Sequence, residues 1–253
     1  MKQMSVVQEI RCSHCGAPIS FQPGEIIATC RYCGYTVVLD TGKAFNLEHS
    51  MLLNKYDPTR IEETVKRWMS TGFLKPSDLA RKSKIAERVL MYLPFWIVSL
   101  RAVSTYKGIF ERITPAIVKE GKIEKEYDWV LLARRATHFP TREYDIPIAG
   151  KIIFDFTKIE AYSMVLNSEI NIEEATSLAR QQVEEHHRYL IQQDVDSIVE
   201  MKNDFDVRLT VYLHAPVWLV EYEYKGKTYQ LSVDGATGIV IKGDIPSAGF
   251  GVF

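Results

Sequence analysis

Pro216-Val217-Trp218-Leu219-Val220-Glu221-Tyr222-Glu223-Tyr224-Lys225-Gly226 reads as an apolar strand that runs into a turn. An earlier stretch echoes it: Pro94-Phe95-Trp96-Ile97-Val98 continues to Tyr106-Lys107-Gly108. Both are rich in β-branched and aromatic residues, which suit a pleated surface. A helical pattern precedes each. Helix, Pro-x-Trp strand and Tyr-Lys-Gly turn thus occur twice, at a displacement near 120 residues, which predicts a divergent internal duplication of an α+β unit. Chance similarity between two apolar strands is the competing explanation. A sheet with helices on one face is expected in either case.

Around the second copy the pattern is clearest. Residues 171–191 predict a helix, with Asn171 as cap, Glu174 at capping-box spacing, and Ile172, Ala175, Ala179, Val183 and Leu190 as the buried stripe. Alternation then places Phe205, Val207, Leu209, Val211 and Leu213 on one strand face, and Asp204, Asp206, Arg208, Thr210 and Tyr212 on the other. Tyr229, Leu231 and Val233 mark the next strand, Asp234-Gly235-Ala236-Thr237-Gly238 a turn, and residues 239–242 the strand that closes the meander. Before the first copy, Thr59 is a candidate cap for a helix carrying Ile61, Val65 and Trp68. Pro76-Ser77-Asp78 opens a second helix, with Leu79, Ile85, Val89 and Leu90 apolar.

Upstream of all this lie four cysteines: Cys12-x2-Cys15 and Cys30-x2-Cys33, fourteen residues apart. Two thiolates three positions apart on a tight turn point at one tetrahedral ion, with Zn–S bonds of roughly 2.3 Å. Gly16 and Gly34 follow the pairs, where a positive φ lets a backbone amide face a sulfur. A strand, a turn and a strand lie between the pairs, and residues 35–40 supply a third strand. This is the pattern of a zinc ribbon with one structural Zn2+ held by Cys12, Cys15, Cys30 and Cys33. Four thiolates leave no open coordination position, so the metal is read as structural. Two disulfides would need an oxidising compartment, and an iron site with the same four ligands stays open.

Composition is that of a globular chain: 253 residues, 46% hydrophobic and 25% charged, with 13 Tyr, 11 Phe and 4 Trp. The net charge of −1 hides an asymmetry. Residues 55–135 carry seventeen basic and ten acidic side chains, whereas residues 136–253 carry ten basic and eighteen acidic. Two faces for two partners, or mutual attraction between the halves, would each account for it. The longest nearly uncharged apolar run, 89–100, is twelve residues with Pro94 inside, short of the roughly 20 that span a bilayer. The opening residues lack the apolar stretch of an export signal. A soluble cytoplasmic protein is expected.

Candidates for chemistry are few. Glu184-Glu185-His186-His187 resembles a metal or acid–base cluster, but adjacent helical residues diverge by about 100°, and a partly buried, hydrogen-bonded histidine is the favoured reading. His49, His138 and His214 are isolated in sequence. No strand–loop–helix phosphate motif is present. Lys75 to Arg88, with four basic residues within eight positions, is the best nucleic-acid candidate, although a solvated helix face looks the same. Tyr106, Tyr222, Tyr224, Tyr229, Trp96 and Trp218 would form a binding surface on an uncovered sheet and core on a covered one.

Val233-Asp234-Gly235-Ala236-Thr237-Gly238, after a helix and hairpin, resembles the end of the PepSY-type fold. With Pro94–Trp96 and the closing Gly243-Asp244-Ile245-Pro246, the chain is similar to uncharacterised prokaryotic proteins that join a transcription-factor-B-type zinc ribbon to PepSY-like α+β repeats. Bacterial members of that group often continue into membrane helices, which this sequence lacks, and occur alongside phage-shock-type or band-7 membrane scaffolds, so the resemblance implies association with such scaffolds. The expected organisation is a zinc ribbon over 1–43, a first α+β unit over 44–160 and a second, PepSY-like unit over 161–253. The expected function is a non-enzymatic protein-interaction adaptor or scaffold component, with peripheral membrane-scaffold association. The alternative is a nucleic-acid-binding factor using the ribbon and the basic 55–135 segment.

Overall fold

A computed structural model describes residues 8–12, 17–21, 27–29, 36–38, 48–72, 74–135, 139 and 144–246. In the N-terminal part, β1 (Gln8–Arg11) pairs antiparallel with β2 (Pro18–Phe21), and β3 (Ile27–Thr29) with β4 (Thr36–Val38). The body is mixed α+β, with one eight-stranded sheet and few helices. Its elements are β5 (Glu48–Met51), α1 (Pro58–Ser70), α2 (Leu79–Lys82), β6 (Lys84–Phe110), β7 (Ile117–Leu132), β8 (Ile152–Ile153), β9 (Met164–Val165), α3 (Ile172–Asp194), β10 (Ser197–Tyr224), β11 (Lys227–Asp234) and β12 (Val240–Gly243).

Two very long strands, β6 and β10, pair antiparallel along nearly their whole length and form the spine. On its outer edge β6 pairs with β9, in parallel, at Met91–Tyr92, and from Phe95 onward with β7. β10 mirrors this: β5 lies parallel to it at Val211–His214, and β11 takes over from Val217. Both prolines of the Pro-x-Trp motifs stand at these changes of partner. Pro94 accepts a hydrogen bond from the Ala133 amide, and Pro216 from that of Gly235. Each missing N–H therefore faces the gap between two edge strands, where no ladder acceptor stands, which is how a proline fits a central strand.

The correspondence extends through the body. Pro94 and Pro216 are 122 residues apart, and so are Leu93 and Ala215, which are direct partners across the spine. A two-fold axis through that pair carries one motif onto the other. It also relates backbone bonds: Leu52 N–H to His214 O (2.9 Å) and Leu166 N–H to Tyr92 O (3.1 Å); Lys55 N–H to Gly235 O (2.8 Å) and Glu169 N–H to Ala133 O (2.7 Å). The order β5-α1-β6-β7 is thus matched by β9-α3-β10-β11.

Both long helices cover one sheet face. α1 buries Ile61, Val65 and Met69 against Leu90 and Tyr92 of β6, Trp218, Val220 and Tyr222 of β10, and Leu231 and Val233 of β11. α3 buries Ala175, Ala179 and Val183 against Trp96, Val98 and Leu100 of β6, Leu131 of β7, and Tyr212 of β10. On the opposite face, Tyr144 and Ile146 of the β7–β8 connection cover Phe95, Ile97, Val211 and Leu213.

Several expectations are corrected. The cap of α1 is Asp57, whose carboxylate accepts from the Thr59 and Arg60 amides, with Pro58 as first helical residue. The second helix stops at Lys82, and Lys84–Leu90 is strand. Its Ile85-Val89-Leu90 spacing imitates a helix, but pairing with β10 decides the local structure. The stripe of α3 runs Ala175, Ala179, Val183, His187, Ile191, with Leu190 half-buried. Alternation in β10 is broken by a bulge at Arg208: Phe205 and Val207 pack on the α3 side with Tyr212, Val211 and Leu213 face the other side, and Leu209 is exposed. Lys107-Gly108 is no turn, since β6 continues to Phe110. A Cβ on Gly108 would lie 2.8 Å from the Ser197 carbonyl, so the glycine serves a close approach. Tyr224-Lys225-Gly226 is a turn, with Lys225 and Gly226 at φ of 50° and 74°.

Candidate functional site

Of the four predicted metal ligands the described residues include Cys12. It is 2% exposed, packs with Ile19 and Ala28, and donates its amide to the Ala17 carbonyl at 2.8 Å. Cys15, Cys30 and Cys33 lie outside the described residues. A buried thiol fits the donor chemistry of one ligand of such a site. Elsewhere among the described residues no three His, Cys, Asp or Glu side chains converge as a metal site would require.

The Glu184–His187 segment resolves into two environments. His187 is fully buried in a closed chain: Nδ1 meets Ser104 Oγ at 2.7 Å, Ser104 donates to Asn203 Oδ1 at 2.7 Å, and Tyr127 Oη meets Nε2 at 2.9 Å. With the Ser104 proton committed to Asn203, His187 Nδ1–H donates to Ser104 and Nε2 accepts from Tyr127. Burial, and next the neighbouring His186, lower the His187 pKa. The serine points its proton away from the imidazole, so this is not a nucleophile–base pair. His186 turns instead to the rings of Tyr127 and Trp129.

His49 and His214, isolated in sequence, meet in the fold, which corrects that reading. His49 Nε2 lies 3.0 Å from His214 Nδ1, and His214 Nε2 lies 2.9 Å from the Leu166 carbonyl. His49 stacks on Phe154 with centroids 4.1 Å apart. Burial carries the pKa of His49 down to about 3 and that of His214 to about 4. No sequence signal marks the pair, because β5 reaches β10 only in the folded sheet.

Four basic side chains of the 55–135 segment pair with acids of the second half of the chain. Lys119 pairs with Asp194, Arg112 with Asp196, Arg134 with Glu169 and Arg135 with Glu174, at 2.6–2.9 Å. Arg101 pairs with Glu124 and Arg88 with Glu62 within the segment. Of the aromatic set, Trp96, Trp218, Tyr222 and Tyr224 are core, whereas Tyr106 and Tyr229 are half-buried.

The open concave surface lies on the sheet face opposite α1. A groove of about 590 Å³ has Val89, Met91 and Leu219 as floor, Phe139 and Met164 at one end, and Glu87, Glu221, Asp244 and Lys242 around the rim. Leu219 is 37% and Met164 47% exposed. Reading Lys84–Leu90 as helix hid this surface, since Glu87 and Val89 line it only when they alternate in a strand.

No protein-family model, curated protein or solved structure matches this chain. No helix among the described residues is long and apolar enough to cross a membrane.

Proposed function

We propose that this chain is a non-enzymatic protein-interaction adaptor with one structural zinc ion. The groove over Val89, Met91 and Leu219 carries the reading: it offers apolar floor and charged rim on a rigid sheet, as a binding surface does. The histidine clusters support it as well, because every described ring nitrogen in the His187 chain and the His214 ring is engaged in an internal hydrogen bond. The nucleic-acid alternative is the less favoured, as ten of the segment's seventeen basic side chains are engaged in ion pairs, four of them with the acidic half.

We further infer that the body arose by duplication of a β-α-β-β unit. The two-fold related proline positions and backbone hydrogen bonds support this, and they are harder to obtain by chance than a matched apolar run. The reading places the protein in the cytoplasm, where thiolates stay reduced and bind zinc. Zinc would be held by Cys12, Cys15, Cys30 and Cys33, and its role is to fold the short N-terminal strands.

Two experiments test the proposal. Tagged protein purified from its native cells, with and without nuclease, is expected to retain one protein partner at near-stoichiometric yield in both halves. Recovery of nucleic acid, with co-purification lost on nuclease treatment, would overturn it. Metal analysis is expected to give one zinc per chain. Chelation should abolish amide-exchange protection over residues 8–38 and leave β6 and β10 protected; loss of both together contradicts separate folding of the two parts.

A further inference from the structure

The sheet face that carries the groove has an occupied counterpart within the same molecule. The two-fold axis through Leu93 and Ala215 carries the groove row Val89–Leu219 onto Val211–Ile97, and Met91 onto Leu213. Those counterparts are closed off: Ile97 is 2%, Val211 3% and Leu213 0% exposed. Their cover is an irregular stretch of this chain in which Tyr144 is buried, Asp145 exposed and Ile146 buried, with Tyr144 packed 5.8 Å from the Phe95 ring. At the groove the same platform is more open, with Leu219 37% exposed.

The groove differs from its counterpart in charge. Glu87 and Glu221 are direct cross-strand partners, both on the groove rim. Like charges placed directly opposite each other destabilise a sheet. Neither has a cation partner among the described residues. The related pair is Ser99–Leu209, which carries no charge. Asp244 adds a third carboxylate, against the single ammonium of Lys242.

Resting on the adaptor reading, we propose that the groove binds a segment of a protein partner in which apolar side chains alternate and lead into an arginine or lysine, apolar-x-apolar-x-basic. Alternate residues of an extended segment lie about 6.6–7 Å apart on one side. The rows they meet follow the same step: Met91, then Val89 with Leu219, then Glu87 with Glu221. The apolar positions repeat what Tyr144 and Ile146 do at the counterpart, and the basic position relieves the carboxylate pair by a charge-assisted contact.

Panning a random-peptide phage library against the immobilised full chain tests this. Enriched peptides are expected to share the alternating apolar-to-basic pattern, and to bind the Glu87→Gln/Glu221→Gln variant at least about tenfold more weakly. The same variant should melt no lower than the parent, because a repulsive pair has been removed. Leu219→Asp should abolish binding. Absence of enrichment, enrichment of peptides without basic residues, or equal binding to both variants overturns the proposal. If the nuclease-resistant partner is captured by Leu219→Asp as well as by the parent, the adaptor reading stands and the groove loses its role.

Discussion

His49 sits on β5 and His214 on β10, and the hydrogen bond between their rings is one that a doubly protonated imidazole on the accepting side cannot make. His214 gives its Nε2 proton to the Leu166 carbonyl, so its Nδ1 must accept from His49. The chain of consequence runs from this bond to pH. In the unfolded chain both histidines titrate near the ordinary value, about 6.5, whereas in the fold burial holds them at about 3 and about 4. Between those limits the unfolded state binds more protons, so stability rises with pH there: it is fully present above about 6.5 and falls as the solution is acidified toward about 4. Each histidine contributes a slope of up to about 1.4 kcal/mol per pH unit. Carboxylates such as Asp78, held at about 2 by hydrogen bonds from Lys82 and Tyr224, act in a lower window. Urea midpoints at several pH values for the parent and for His49→Phe should show a shallower dependence in the variant. Stability that stays flat over this window in the parent would refute the assignment.

At the scale of elements, the bulge at Arg208 decides what β10 presents to each face. Without it, Phe205 and Val207 would sit on the side of the sheet away from α3. Deleting Arg208 removes the extra residue and leaves both faces as they are, because Val207 and Leu209 already pair with the adjacent Leu100 and Ser99. The deletion is therefore expected to lower stability in urea denaturation little, by at most about 1 kcal/mol. Arg208→Ala keeps the backbone and removes only exposed pairs with Glu126 and Asp206, a change worth at most about 1 kcal/mol. A deletion that unfolds the chain while Arg208→Ala leaves it intact would show that Arg208 is not the extra residue. The bulge also marks where the sequence stopped being legible. Strict alternation from Phe205 to Leu213 gave the strand correctly and its faces wrongly, because an extra residue leaves no trace in hydrophobic period. Helix α3 was readable in its cap and in Ala175, Ala179 and Val183 of its stripe, since its signals are local. Lys84–Leu90 was not, as its strand form depends on a partner some 130 residues away.

For the whole molecule, the Pro-x-Trp echo falls on two-fold related positions of the spine, whereas the Tyr-Lys-Gly echo does not: the axis through Leu93 and Ala215 carries Tyr106 four residues beyond Tyr224. What the sequence could not convey is that the matched units share their cores. α1 belongs to the first half, yet it is covered by Trp218, Tyr222, Leu231 and Val233 of the second. α3 belongs to the second half, yet it rests on Trp96, Val98, Leu100 and Leu131 of the first. Each half alone would expose its helix's apolar stripe and one full edge of a strand 27 or 28 residues long, a surface that promotes association. A chain divided between Ala161 and Tyr162, both exposed, should therefore give fragments 1–161 and 162–253 that co-purify as one folded complex when expressed together. Expressed separately, neither should yield a folded monomer. The 162–253 fragment instead has the geometry to pair β10 with a second β10 about Ala215, because the axis already brings β6 there in the role of a second copy. Light scattering after size exclusion distinguishes the cases. A monomeric, cooperatively melting fragment of either half would show that the cores are separable and that the two-fold arrangement is incidental to folding.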